Sequence, residues 1–189
     1  MSRVREIKRV LVAGALVALV SCSTVRVESD YNPQVDFSTL RSYAWMPDPP
    51  DVSSNPLLHN SILDGRIRSA VDRTLAGKGI RQVEVSRADF LVNYYVNLEQ
   101  KIRVDTVPTT SYGYGYGGWY GGMASETRVQ QYEEGTLLLD VVDPEKDELL
   151  WRGSGSTRVS KKTSPEAREK KIDEIVSKLL ESFPPAPGS

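Results

Sequence analysis

Between Ala88 and Val104 the chain alternates with a period of two. Phe90, Val92, Tyr94, Val96 and Leu98 fall on one side, and Leu91, Asn93, Tyr95, Asn97 and Glu99 on the other. Successive side chains of a strand point to opposite faces, so the run reads as a strand with one face buried and a second that turns from apolar to wet. Such a strand needs neighbours in a sheet and a layer over its apolar face. Thr127 to Val142 and Glu148 to Val159 read as two further strands. They form an antiparallel hairpin through Asp143, Pro144, Glu145 and Lys146, where proline at the second turn position presets φ. Thr24 to Ser29 and Arg41 to Met46 read as shorter strands, separated by a turn at Asp30, Asn32 and Pro33.

The covering layer is legible as two amphipathic helices. Asn55 and Pro56 offer a helix start, because an Asn side chain accepts an orphan backbone N–H and proline has none to lose in the first turn. Leu58, Ile62, Leu63, Ile67, Ala70, Val71 and Leu75 then recur at three- and four-residue steps, and Gly77 and Gly79 supply the stop. Ser164 and Pro165 open the second helix, which carries Ile172, Ile175, Val176, Leu179 and Phe183 on one stripe before Pro184 and Pro185 end it. The expectation is a single α+β domain over residues 22–185, an antiparallel sheet of five or six strands with both helices on one face, and a short tail at 186–189.

The beginning of the chain reads as an address. Arg3, Arg5, Lys8 and Arg9 precede an uncharged apolar run from Val10 to Val20 and the small residue Ser21, the order of a secretory signal over residues 1–21. Eleven apolar residues fall short of the roughly 20 that a helix needs to cross a bilayer. Leu19, Val20, Ser21 and Cys22 resemble the lipobox of bacterial lipoproteins, and Cys22 is the only cysteine. That resemblance implies cleavage before Cys22 and acylation of it, so a membrane contacted through this anchor is the first expected partner. A plain signal peptide that leaves a free thiol is the alternative. Ser23 after the cysteine, by the same resemblance, points to the periplasmic face of the outer membrane. Removing residues 1–21 takes away four basic residues and one Glu, leaving 20 positive and 24 negative charges. No overall basic field recruits nucleic acid. With one Cys and one His, neither a disulfide framework nor a Cys/His zinc site can be assembled within the chain.

A family resemblance runs through the same residues. Asp36-Phe37-Ser38 leading to Ser42-Tyr43-Ala44-Trp45, then Ala88-Asp89-Phe90-Leu91-Val92, and Gly135-Thr136-Leu137 through Asp140 and Asp143-Pro144 to Trp151-Arg152-Gly153, resemble the bacterial lipoprotein family called domain of unknown function 4136. From about Val25 to Pro184 the resemblance implies a single α+β domain on a lipid anchor, and no established activity.

Several constellations bear on chemistry. Ser111 to Met123 holds six Gly and five aromatics. Glycine loses the most backbone freedom on ordering, so the segment reads as a mobile loop between two long strands. Tyr112, Tyr114, Tyr116, Trp119 and Tyr120 there suit contact with a glycan, lipid headgroups or an envelope protein. A hairpin tip without a ligand is the simpler alternative. Its Gly pattern lacks the Lys-Ser/Thr and βαβ context of a nucleotide loop. His59 reads as a solvated or capping residue, with no Gly-x-Ser-x-Gly elbow to serve. Asp140, Asp143, Asp147 and Glu148 gather about the hairpin turn, where they could bind Ca²⁺ or supply an acid and base pair; turn chemistry on a solvated edge is the preferred reading. Asp36 and Asp89 read as turn caps. Trp45 and Trp151 are expected between sheet and helices, and Trp119 exposed. Glu166, Arg168, Glu169, Lys170 and Lys171 read as a solvated helix face. The expectation is a non-enzymatic envelope module without a cofactor. The rivals are a hydrolase built on Asp140 and a carrier of an apolar molecule, which needs an apolar pocket under the helices.

Overall fold

A computed structural model of the chain describes residues 25–47, 58, 60–111, 122–160 and 162–185. Residues 1–24, with Cys22, lie outside them, as do Asn55, Pro56, His59, residues 112–121 and the tail at 186–189. Six strands form one sheet in the order β1-β6-β5-β4-β2-β3: β1 Arg26–Tyr31, β2 Ser42–Trp45, β3 Arg81–Gln82, β4 Phe90–Ser111, β5 Gly122–Val142 and β6 Leu149–Val159. Two helices, α1 Ser61–Gly77 and α2 Pro165–Glu181, cover one face. The α+β expectation holds, with one refinement: β2 runs parallel to both β3 and β4, and the other pairings are antiparallel.

The alternation in the sequence sets this layering. Phe90, Val92 and Tyr94 of β4 join Leu137, Leu139 and Val141 of β5 and Trp151 of β6 beneath Ile67, Val71, Leu75, Ile175, Val176 and Leu179 of the helices. Phe183, fully buried just past α2, gathers the aromatics, with its ring 5.2 Å from Trp151, 5.5 Å from Phe90 and 6.2 Å from Phe37. Trp151 fills the space under the helices as expected. Trp45 is half-buried at the edge, under the Arg68 guanidinium at 4.5 Å.

Three expectations are corrected. α1 starts at Ser61, not at Asn55, because Asn60 stands in extended backbone and its side chain accepts the Leu63 N–H at 2.9 Å. Ile62, placed on the buried stripe, is 66% exposed. β4 and β5 run past Val104 and before Thr127 to meet at Ser111 and Gly122. Asp36 is a turn cap as read, accepting the Ser38 N–H at the start of a 3-10 turn at Phe37–Thr39. The end of α1 is as read: Gly79, at φ +79, reverses the chain after Lys78. Ser164 caps α2 by accepting the Ala167 N–H.

Two carboxylates pin the turns. Asp143 accepts the N–H groups of Glu145 and Lys146 at 2.8 and 3.0 Å, closing the β5–β6 hairpin. Asp89 reaches across to β2, accepting the Arg41 and Ser42 N–H groups at 2.9 and 2.8 Å and the Ser42 hydroxyl at 2.8 Å. This fixes a parallel pairing only three residues long. The donated hydrogen bonds, from the Arg41 N–H above all, hold the Asp89 carboxyl below its ordinary 3.8. A depressed native pKa contributes stability that is complete above 3.8 and is lost as the pH falls through the lower native value. Urea titrations should therefore show that Asp89→Asn flattens the acid dependence below about pH 4, while leaving a loss of about 1–3 kcal/mol at neutral pH.

On β6, glycines let α2 approach. A Cβ at Gly153 would lie 2.3 Å from Cη2 of Trp151, and one at Gly155 2.8 Å from Cγ2 of Ile175. Gly153→Ala, pressed against a rigid indole, is expected to cost about 2–3 kcal/mol, and Gly155→Ala about 1 kcal/mol. Gly65→Ala on α1, with nothing within 4 Å, should stabilise by about 0.5–1 kcal/mol. Urea midpoints at unchanged m read all three.

Candidate functional site

The apolar stripes on β4 and on both helices run further than their mutual cover. Val96 and Leu98 of β4 are half-exposed where Phe90, Val92 and Tyr94 are buried, and Ile62 and Leu63 of α1 and Ile172 of α2 stop short of the core in the same place. The space between them is an apolar cleft of about 770 Å³, open on one side. Its floor is Val96, Leu98, Gly135, Leu137, Thr157 and Val159 of the sheet, and its walls are the first turns of both helices. Its volume lies within the range of about 300–1,000 Å³ typical of small-molecule sites. No Cβ intrudes at Gly135, where one would meet Cγ2 of Val159 at 2.8 Å.

Polar groups are few and placed at the edge. Five basic residues line the cleft, Arg66, Arg158, Arg168, Lys170 and Lys171, against one acid, Glu174. Lys171 pairs with Glu174 at 3.0 Å and the Arg158 guanidinium lies 4.2 Å over the Tyr132 ring. The lining thus carries more basic residues than acidic ones. Thr157, only 4% exposed, carries a hydroxyl with no hydrogen-bond partner. Among the described residues the other buried side-chain polar atom in that condition is Nε1 of Trp151, within the aromatic cluster.

The carboxylates singled out in the sequence lie elsewhere. Asp140, 4% exposed, faces away from the helices and receives Nε and Nη2 of Arg152 at 2.7 and 2.6 Å. Asp143 is occupied by its turn, and Asp147 and Glu148 are exposed beyond it. Glu134 pairs with Lys101 on the same far face. Among the described residues no three His, Cys, Asp or Glu side chains are grouped to hold a metal. Cys22, His59, Tyr112, Tyr114, Tyr116, Trp119 and Tyr120 lie outside the described residues. Glu166, Arg168, Glu169 and Lys170 are solvated as read, and Lys171 is half-buried at the cleft.

A polar seam that the sequence reading missed holds α1 to the sheet edge. Asp64 accepts the Tyr94 hydroxyl and Nε of Arg68, both at 2.8 Å, and Asp72 accepts the Tyr43 hydroxyl at 2.6 Å and Nε1 of Trp45 at 3.0 Å. Burial first, and then the neighbouring carboxylate, push both phenols above their ordinary value. The available signal was the four-residue spacing of Asp64, Arg68 and Asp72 beside the apolar stripe.

An open, mostly antiparallel sheet with two helices on one face and a cleft where their cover ends defines an α+β architecture. Residues 27–185 match the model of the family described as "Domain of unknown function (DUF4136)", and the chain belongs to that family. No curated protein matches it. Among solved structures it is similar to a PDZ domain protein from Parabacteroides distasonis, at 12% identity and TM-score 0.54, over 86% of this chain and 37% of that one. It also matches PelC of Paraburkholderia phytofirmans, solved as a dodecamer, at 12% identity and TM-score 0.46, over 82% of this chain and 94% of that one. The first likeness is one of fold, and the chain spans well under half of that protein's length. No helix among the described residues is long and apolar enough to cross a membrane.

Thr157→Val replaces an unpartnered buried hydroxyl by a methyl of the same shape. In the ligand-free protein it is expected to stabilise by about 1 kcal/mol, read as a raised urea midpoint.

Proposed function

We propose that this chain is a non-enzymatic binding module of the bacterial cell envelope, held by acyl chains on Cys22 at the periplasmic face of the outer membrane, and that it takes an apolar ligand into the cleft between α1, α2 and the sheet. The cleft carries this reading: an apolar hollow of about 770 Å³ at the start of both helices. It revives the carrier alternative, which required an apolar pocket under the helices. Asp140, on which a hydrolase reading depended, lies on the opposite face of the sheet and is held by Arg152. The basic start, short apolar run and lone Cys22 support the tether. Buried acyl carbon contributes about 0.8 kcal/mol per CH₂, so two or three chains anchor a protein almost permanently.

Mass spectrometry of the chain from its native envelope should find an N-terminal diacylglyceryl cysteine, and Cys22→Ser should move the protein out of the membrane fraction. An unmodified thiol there overturns the tether. Native mass spectrometry of the detergent-extracted chain should find an apolar adduct, which Ala167→Trp, a ring placed in the cleft mouth, removes.

A further inference from the structure

We infer that the cleft is the site of a single-chain anionic amphiphile, an acyl tail lying along Val96, Leu98 and Leu137 with a carboxylate or phosphate at the basic rim that carries Arg66 and Lys170. This rests on the reading above that the cleft holds an apolar ligand, and it names what that ligand is. Three independent features converge on this chemistry. The first is the apolar mouth: Ile62 is 66% and Val159 42% exposed, side chains that an acyl tail takes out of water. The second is the sign. A chain of formal net charge -1 concentrates basic residues around this one hollow, and both helices begin there, with Asn60 from α1 and Pro165 from α2 on its wall. Each helix start adds a partial positive charge, so the apolar floor ends at a positive rim. The third is Thr157. Its side chain lies on the floor, the residue 4% exposed, with a buried hydroxyl that has no partner, so a ligand oxygen that displaces the side chains over it gains a hydrogen bond.

The position of the anchor supplies the source. β1 begins at Arg26 opposite Ser156 of β6, one residue from Thr157 and three from Val159. Three residues lie between Cys22 and Arg26, so four Cα–Cα steps separate them, a reach of at most about 14 Å. A tether at Cys22 therefore holds the cleft end of the domain close to a bilayer, where single-chain amphiphiles partition.

The experiment uses the full chain in phosphatidylcholine nanodiscs, labelled with palmitate bearing a diazirine at its tail end, with adducts mapped by mass spectrometry. Adducts are expected on Val96, Leu98, Leu137 or Ile172. Unlabelled palmitate or lysophosphatidylglycerol should compete at least about tenfold better than hexadecanol, and whichever is stronger tells a carboxylate from a phosphate head. Each CH₂ added to the competitor's tail should tighten competition by about fourfold until the cleft is full. Lys170→Glu with Arg66→Glu should remove the anionic preference and leave hexadecanol unchanged. Thr157→Val should weaken lysophosphatidylglycerol by about fivefold to tenfold. Ile62→Glu, a change at an exposed residue, should abolish labelling without lowering the melting temperature; Ala167→Trp serves as a second block. Equal competition by hexadecanol overturns the anionic amphiphile but leaves an apolar site standing. Labelling that is confined to residues outside the cleft, or is indifferent to Ile62→Glu and Ala167→Trp, overturns both.

Discussion

The structure is governed by a mismatch of lengths. Helices α1 and α2 have 17 residues each, about 26 Å at 1.5 Å per residue, whereas β4 and β5 have 22 and 21, about 70 Å at 3.3 Å per residue. Two helices cannot cover such strands, so the apolar face divides into three zones. Near Phe90, Leu139 and Trp151 the cover is complete and a closed core forms. At Val96, Leu98 and Leu137 the helices are just beginning, and the cover is a pair of walls rather than a roof. Past Glu133, where β6 ends at Val159, β4 and β5 continue as a ribbon paired only with each other among the described residues. On that ribbon Ile102, Val104 and Val129 are each about 60% exposed, on the face the helices would have covered.

Two devices set where the cover lies. On β6, Gly153 and Gly155 remove side chains from the floor, so Leu179 and Ile175 of α2 settle close to the sheet. At the other edge α1 is held by polar contacts, with Asp64 and Asp72 gripping Tyr94, Tyr43 and Trp45, and Arg68 capping the indole face. Charge-assisted hydrogen bonds of this kind fix orientation more sharply than apolar contact does. One helix is thus seated by the absence of side chains and the other by directed bonds, and the cleft is what remains between their first turns.

This also explains which parts of the molecule were legible from residues alone. Period-two and period-3.6 patterns report the two sides of one interface, so strands β4, β5 and β6, both helices and the face they share were readable from Phe90-Val92-Tyr94 and Ile67-Val71-Leu75. Asp89 and Asp143 were readable as turn carboxylates, although the partner of Asp89 is 48 residues away on Arg41 and was not. The cleft was hidden because a stripe reports which side chains are apolar and not whether anything covers them: Ile62 and Val96 carry the same signal as Ile67 and Val92. Thr157 was hidden for a related reason. A hydroxyl on a strand has no sequence mark that separates a satisfied one from an orphan. The start of α1 was misplaced because Asn55-Pro56 and Asn60-Ser61 both suit a cap, and it is the Asn60 side chain that accepts an N–H of the first turn, from Leu63.

The three zones have a common polarity along the sheet. β4 leaves the core at Phe90 and reaches the cleft at Leu98 before it enters the ribbon, while β1 begins beside Ser156 at the cleft end and runs back toward Trp151. The start of the described chain, the open cleft and the root of the ribbon therefore share one end of the domain, and the closed aromatic core occupies the other. With acyl chains on Cys22 as proposed, the end with apolar surface left uncovered is the end nearest the bilayer, and the exposed Ile102, Val104 and Val129 project from that same end. Uncovered apolar surface is a liability in water and an asset beside a membrane, where a hollow with a basic rim meets acyl chains and anionic heads at high local concentration. The short helices, which look like an incomplete cover when the domain is considered alone, leave open the one side on which a tethered domain would meet its ligand.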